Sequence, residues 1–200
     1  CNFLPVGGVA VDVGASVGVF TLSLAAKASK VYSFEPIRKV FTVLKRNIEL
    51  NNLENVVCQR SAINSHCGEV KMLIPLAGSA TAHMTKDGQN SASGDIEIVP
   101  GTTLDAAIPD GYIDVLKIDA EGAELPILLG AERFLNQQRR MLVMIEFAPK
   151  AAKDFGYSFF DIYDFFANRG FTGKLLHSEE YLSKAYQHAG EGAVDFVFVR

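Results

Sequence analysis

The sequence predicts an α/β fold in which helices cross over a mostly parallel sheet. Three observations carry this. The first third alternates short apolar runs with amphipathic helical stretches, a β-α-β-α-β order. The first run, Val9–Val13, passes through a tight Gly14-Ala15-Ser16-Val17-Gly18 turn into a helical pattern. That is how a nucleotide-like ligand is held at the carboxyl edge of a parallel sheet. Residues 113–119 and 141–147 are later strand runs, the second almost wholly apolar until Glu146, as expected of a buried parallel strand.

The elements follow in order. After the strand at residues 9–13, a helix is expected over 17–28. A second strand over 31–34 ends at Glu35-Pro36. Ile37, Val40, Phe41, Leu44 and Ile48 then form one helical stripe, stopped by Asn51-Asn52. A third strand is expected at 55–59. Residues 69–74 and 95–99 alternate partially and read as two strands of an inserted hairpin. Between them lies AGSATAHMTKDGQNSASG, which a compact domain uses as a functional lid or carries as a disordered insertion. A strand at 113–119 leads to a helix at 124–135, whose continuity Gly130 puts in question. A strand at 141–147 follows. Ser158 and Asp161 fit a capping box opening a helix with Phe159, Ile162, Tyr163 and Phe166 on its buried face, closed by Gly170. Residues 194–199 form the last strand.

Two hundred residues without a shift in composition suit one domain, 1–200. The chain starts almost directly on a core strand, so an N-terminal segment is expected to be missing. The net charge of -4 gives no basic footprint for nucleic acid. It also argues against anionic lipid surfaces. Three cysteines with no C-x-x-C pair argue against a disulfide scaffold or structural zinc, and a reducing, cytoplasmic setting is the expectation. No apolar stretch reaches the length of a membrane span.

The chemistry starts at the first turn. A dinucleotide turn wants G-x-G-x-x-G, with its middle glycine against a pyrophosphate. Here Ser16 holds the middle, and Asp12 precedes the turn. A carboxylate there repels a pyrophosphate but suits a cationic ligand such as the ammonium or sulfonium of S-adenosylmethionine. The alternative role for Asp12 is to cap the turn or helix. Glu35 ends the second strand, where an acid accepts hydrogen bonds from ribose hydroxyls, a device that NAD would share. Topology puts an adenine ring near Ala62.

These residues look familiar. VDVGASVGVFTL, VYSFEPIRKVFTVLKRNIELNNLENV, TLDAAI, IDVLKIDAEGAELPILLGAERFL and MIEF resemble, in order, the FkbM family of S-adenosylmethionine-dependent methyltransferases. The resemblance implies the class I methyltransferase Rossmann-like fold, with a mostly parallel seven-stranded sheet and helices on both faces. It implies methyl transfer to a hydroxyl oxygen of a small molecule or glycan. It also implies cofactor contacts from Asp12, Gly14, Ser16, Gly18 and Glu35. Ser16 stands where the family often has Asn. Beyond Phe147 the match is loose. A nicotinamide-dependent oxidoreductase and a non-catalytic relative that keeps the fold remain alternatives.

Methyl transfer to oxygen needs alignment and removal of a hydroxyl proton. Asp119, Glu121, Glu124 and Glu146 are predicted to converge on one sheet edge. Asp119 and Glu146 are candidate bases, and Glu124 reads as a helix-terminal acid. A divalent metal held by these oxygens is the alternative use of the cluster, and none is assigned. Lys117 shares a strand face with Asp119 and is expected to form a salt bridge with one of the acids. His83 is either a base carried on a lid or an exposed loop histidine.

Overall fold

A computed structural model describes residues 4–200 apart from 77, 79–81, 86–93, 109–110, 138–139, 177, 179–180 and 183–191. Its main sheet has seven strands in the order β10-β11-β9-β8-β1-β2-β3. These are β1 (Val9–Val13), β2 (Lys30–Phe34), β3 (Val56–Gln59), β8 (Val115–Ile118), β9 (Leu142–Phe147), β10 (Thr172–Leu175) and β11 (Val194–Val199). Strands β3, β2, β1, β8 and β9 run parallel, and β11 pairs antiparallel with both β9 and β10. The chain leaves β1 toward β2 and β3, then returns to β8 on the other side. This reversal opens a crevice at the carboxyl ends of β1 and β8, the usual ligand position in such sheets.

Both faces of β1 are buried. Val11 and Val13 enter the main apolar cluster, while Ala10 packs with Leu24, Ala25, Val31 and Val115 on the other side. Helix α1 (Val19–Ala25) is shorter than the periodicity predicts, because Gly18 caps it in a left-handed conformation. Helix α2 (Arg38–Leu50) buries Val40, Leu44 and Ile48 as expected. The capping box of Ser158 and Asp161 is present at α7 (Phe159–Ala167). The rings of Phe166 and Phe198 stack 4.2 Å apart beneath that helix.

The expected helix over 124–135 is two pieces, α4 (Glu124–Leu129) and α5 (Glu132–Gln137). The break falls at Gly130, where a Cβ would lie 2.2 Å from the carbonyl oxygen of Asn64. Five further elements went unpredicted: α3 (Leu104–Ala107), α6 (Pro149–Asp154), strand β10 and the two-residue strands β4 (Ala62–Ile63) and β6 (His83–Met84). The first two are too short to show a period.

The inserted hairpin is a sheet of its own. Strands β4 (Ala62–Ile63), β5 (Gly68–Pro75), β6 (His83–Met84) and β7 (Gly94–Thr102) lie in the order β4-β7-β5-β6. Most of the glycine- and serine-rich segment lies outside the described residues, and the lid question with it. Among the described residues no helix is long and apolar enough to cross a membrane.

Candidate active site

A cavity of about 280 Å³ opens where the two sheets meet. The glycine turn, the ends of β2, β8 and β9, and the hairpin all contribute to its wall.

Gly14 has φ 73°, and a Cβ there would lie 1.8 Å from the carbonyl oxygen of Asp119. Only glycine lets the turn approach β8 this closely. Ser16 is also left-handed, at φ 50°. That is uncommon outside glycine and asparagine, and a local hydrogen bond holds it here. The Ser16 N–H donates to Glu35 Oε2 at 3.0 Å, and the Ile37 N–H donates to Oε1 at 2.9 Å. Glu35 is thus fixed at the cavity wall with lone pairs to spare. Burial raises its pKa against the lowering effect of these two N–H groups.

Ala62 lies on the wall between Ser61 and Ile63. Ser61 is 1% exposed, and its Oγ has no hydrogen-bond partner among the described residues. Buried hydroxyls are normally paired. This one sits in the ligand cavity.

Two of the expected cofactor-contact residues do not line this cavity. Asp12 is fully buried behind the turn and does not line the cavity. Its Oδ2 accepts from Thr21 Oγ1 at 2.6 Å, and its Oδ1 lies 3.5 Å from Lys117 Nζ. The pairing of β1 with β8 places Asp12 beside Lys117 inside the sheet. Gly18 is also off the wall, since a Cβ there would meet Leu44 and Leu22 at 2.8 and 2.9 Å. It is a packing and capping glycine.

The acids converge as predicted. Asp119, Glu121 and Glu146 line the cavity together. Lys117 Nζ lies 3.0 Å from Asp119 Oδ2 and donates to the Gly14 carbonyl at 3.0 Å. Burial pulls the pKa of Lys117 down, but the Asp12 and Asp119 charges outweigh it and the net shift is upward. A hydrogen bond with Asp119, then burial, then the charges of Asp119, Asp195 and Glu121 push Glu146 up to about 8. Burial also raises Glu121, with Asp119 and Glu124 adding to it and His83 opposing. His83 is half-buried on β6, between Ala82 and Met84, which line the cavity while His83 does not. No group of three or more metal-ligating side chains forms among the described residues.

Glu124 has the structural role predicted for a helix-terminal acid. Its Oε1 accepts from the Gly122 and Ala120 N–H groups, and its Oε2 accepts from Tyr157 at 2.6 Å. Tyr157 also lies 3.0 Å from the Gly122 carbonyl oxygen. This knot holds the 119–123 turn, in which Glu121 has φ 50°. Tyr157→Phe leaves buried Glu124 one donor short and is expected to cost about 1–3 kcal/mol. Urea unfolding measures it, and an unchanged midpoint would remove the knot from the account.

The sequence reading missed the apolar part of the wall. Phe34, Ile37, Met72, Met84 and Ile127 line it. Phe34 and Ile37 could have been found from their position beside Glu35. Met72 and Met84 could not, because they reach the cavity only through hairpin packing.

The comparisons agree with this geometry. Residues 12–172 match the family described as the methyltransferase FkbM domain. The chain is 30% identical over 182 residues to methyltransferase sdnD of Sordaria araneosa, an alignment covering 75% of this chain and 70% of that protein. It is 23% identical over 143 residues to methyltransferase 1 of Beauveria bassiana, covering 61% of this chain and 57% of the relative. Among solved structures, a methyltransferase FkbM of Methylobacillus flagellatus superposes with TM-score 0.63 at 18% identity. That match covers 96% of this chain and 43% of the other. A Streptococcus mutans structure in complex with SAH gives TM-score 0.56 at 13% identity, covering 99% and 91%. The main sheet is therefore the class I methyltransferase arrangement, and the chain belongs to the FkbM methyltransferase family.

Proposed function

We propose that this chain is an S-adenosylmethionine-dependent methyltransferase acting on a hydroxyl oxygen of a small molecule or glycan. The observation that carries the cofactor reading is the wall from Ser16 to Ala62. Glu35 is held there by two backbone N–H groups, and the orphaned Ser61 Oγ lies beside the expected adenine position. Glu35 holds the ribose hydroxyls, Gly14 and Ser16 shape the turn around the ligand, and Ser61, Ala62 and Ile63 face the base. Asp12 acts from behind the turn by fixing Lys117. When bound, the cofactor supplies an activated methyl group. The chain must then orient the acceptor and take up its proton, for which Asp119 and Glu146 stand on the cavity wall and His83 lies on β6 beside it.

S-adenosylhomocysteine at a hundredfold its Kd stabilises a specific binder by about 2.7 kcal/mol. For a chain of this size that raises Tm by roughly 5–10 °C. NAD is expected to give no rise. No shift with S-adenosylhomocysteine, or a larger one with NAD, would overturn the cofactor reading. Incubation with labelled S-adenosylmethionine and a panel of alcohols and sugars then tests the acceptor class. Label in carboxylates or amines instead of hydroxyls would overturn the oxygen assignment.

A further inference from the structure

Resting on that reading, we propose that Glu146 is the proton acceptor, and that Asp119, clamped by Lys117, is the positioning residue that holds the Glu146 carboxyl on the cavity wall.

The three acids on the cavity wall are not equivalent. Asp119 is tied down on one side by Lys117, whose ammonium also holds the Gly14 carbonyl and faces Asp12. The Asp119 carboxylate is therefore already engaged in an ion pair. Among the described residues Glu146 forms no ion pair, although it lines the same cavity. It is hydrogen-bonded to Asp119 and faces Glu121 from the β8–α4 turn, and Asp195 opposes it directly across the antiparallel β9–β11 pair. Two carboxyl groups in hydrogen-bond contact must share a proton. The proton resides on Glu146, whose value near 8 lies where a general base works best. His83 bears on Glu121 rather than on this pair.

The step balances. The acceptor oxygen forms a bond to the methyl carbon while the carbon–sulfur bond breaks with its electron pair left on sulfur. The hydroxyl proton goes to the Glu146 carboxylate. Because the working form is the carboxylate, the rate rises with pH through the Glu146 value rather than falling.

The test uses carboxyl-carbon NMR of the ligand-free protein, labelled at glutamate, with calorimetry of S-adenosylhomocysteine binding alongside. The wild-type Glu146 resonance, assigned by its absence in Glu146→Gln, is expected to titrate near 8. In Asp119→Asn it should move down toward the ordinary 4.5. Glu146→Gln should keep S-adenosylhomocysteine affinity within a few-fold and lose turnover of the labelled hydroxyl acceptor by roughly 100-fold or more. Titration of wild-type Glu146 in the ordinary range would overturn the proposal, as would a midpoint unmoved by Asp119→Asn. Loss of cofactor-product binding in Glu146→Gln would overturn it too, by making Glu146 a holding group. Failure of the wild type to bind S-adenosylhomocysteine would strike the cofactor reading instead, and leaves the titration result standing by itself.

Discussion

Gly14→Ala is expected to abolish S-adenosylhomocysteine binding and to destabilise the fold by about 3–5 kcal/mol. Two penalties combine. The left-handed backbone at φ 73° costs any side chain, and the new methyl would lie 1.8 Å from the Asp119 carbonyl oxygen. Backbone cannot swing aside as a flexible side chain does, so β1 and β8 must separate at their carboxyl ends. The same movement would pull Gly14 away from Lys117 Nζ. Gly7 is the control. Its φ is 79°, but a Cβ there meets nothing within 4 Å, so alanine pays only the backbone cost of about 1–2 kcal/mol. Denaturant unfolding and calorimetry on both variants separate the two costs. Equal losses at Gly7 and Gly14 would refute the close-approach account.

The second large effect is expected at Lys117. Lys117→Met strands Asp12, which is fully buried, without its cation, and truncating one partner of a buried pair costs about 3–5 kcal/mol. Methionine fills most of the volume, so the loss reports charge rather than a hole. Adding Asp12→Asn should recover much of it, since an amide is cheaper to bury than a lone carboxylate. A double variant no more stable than Lys117→Met would show that the lysine acts through packing alone.

The parallel sheet was legible because its strands carry their own signal. β1, β8 and β9 are apolar runs bounded by chemistry-bearing residues, and α2 repeats at helical spacing over 13 residues. Gly130 announced the break between α4 and α5. The contact that requires a glycine there, with Asn64, joins residues far apart in the chain and could not be read locally. The candidate site divided the same way. Glu35, Asp119 and Glu146 are strand-end acids, and their convergence follows from a parallel sheet. The place of Asp12 depended on which side of the sheet its carboxylate faced. Its neighbour Lys117 is contributed by a strand more than a hundred residues away. Charge before a glycine turn therefore suggested a ligand contact, whereas cross-strand pairing turned that charge inward.

The inserted hairpin bears on how the cavity wall can change. Its strands β5 and β7 pair along eight residues of each, so its backbone ladder is complete without the main sheet. Among the described residues its polar links to the rest of the chain include the Arg60–Glu97 ion pair and the Arg38 N–H on the same carboxylate. Met72 and Met84 nevertheless form part of the cavity wall. One side of the cavity is thus the inserted sheet, while the side facing Glu35 is framed by the parallel strands. Because β4 pairs with β7 and carries Ala62 and Ile63 into the same wall, recutting that sheet reshapes the proposed adenine position along with the rest of the cavity.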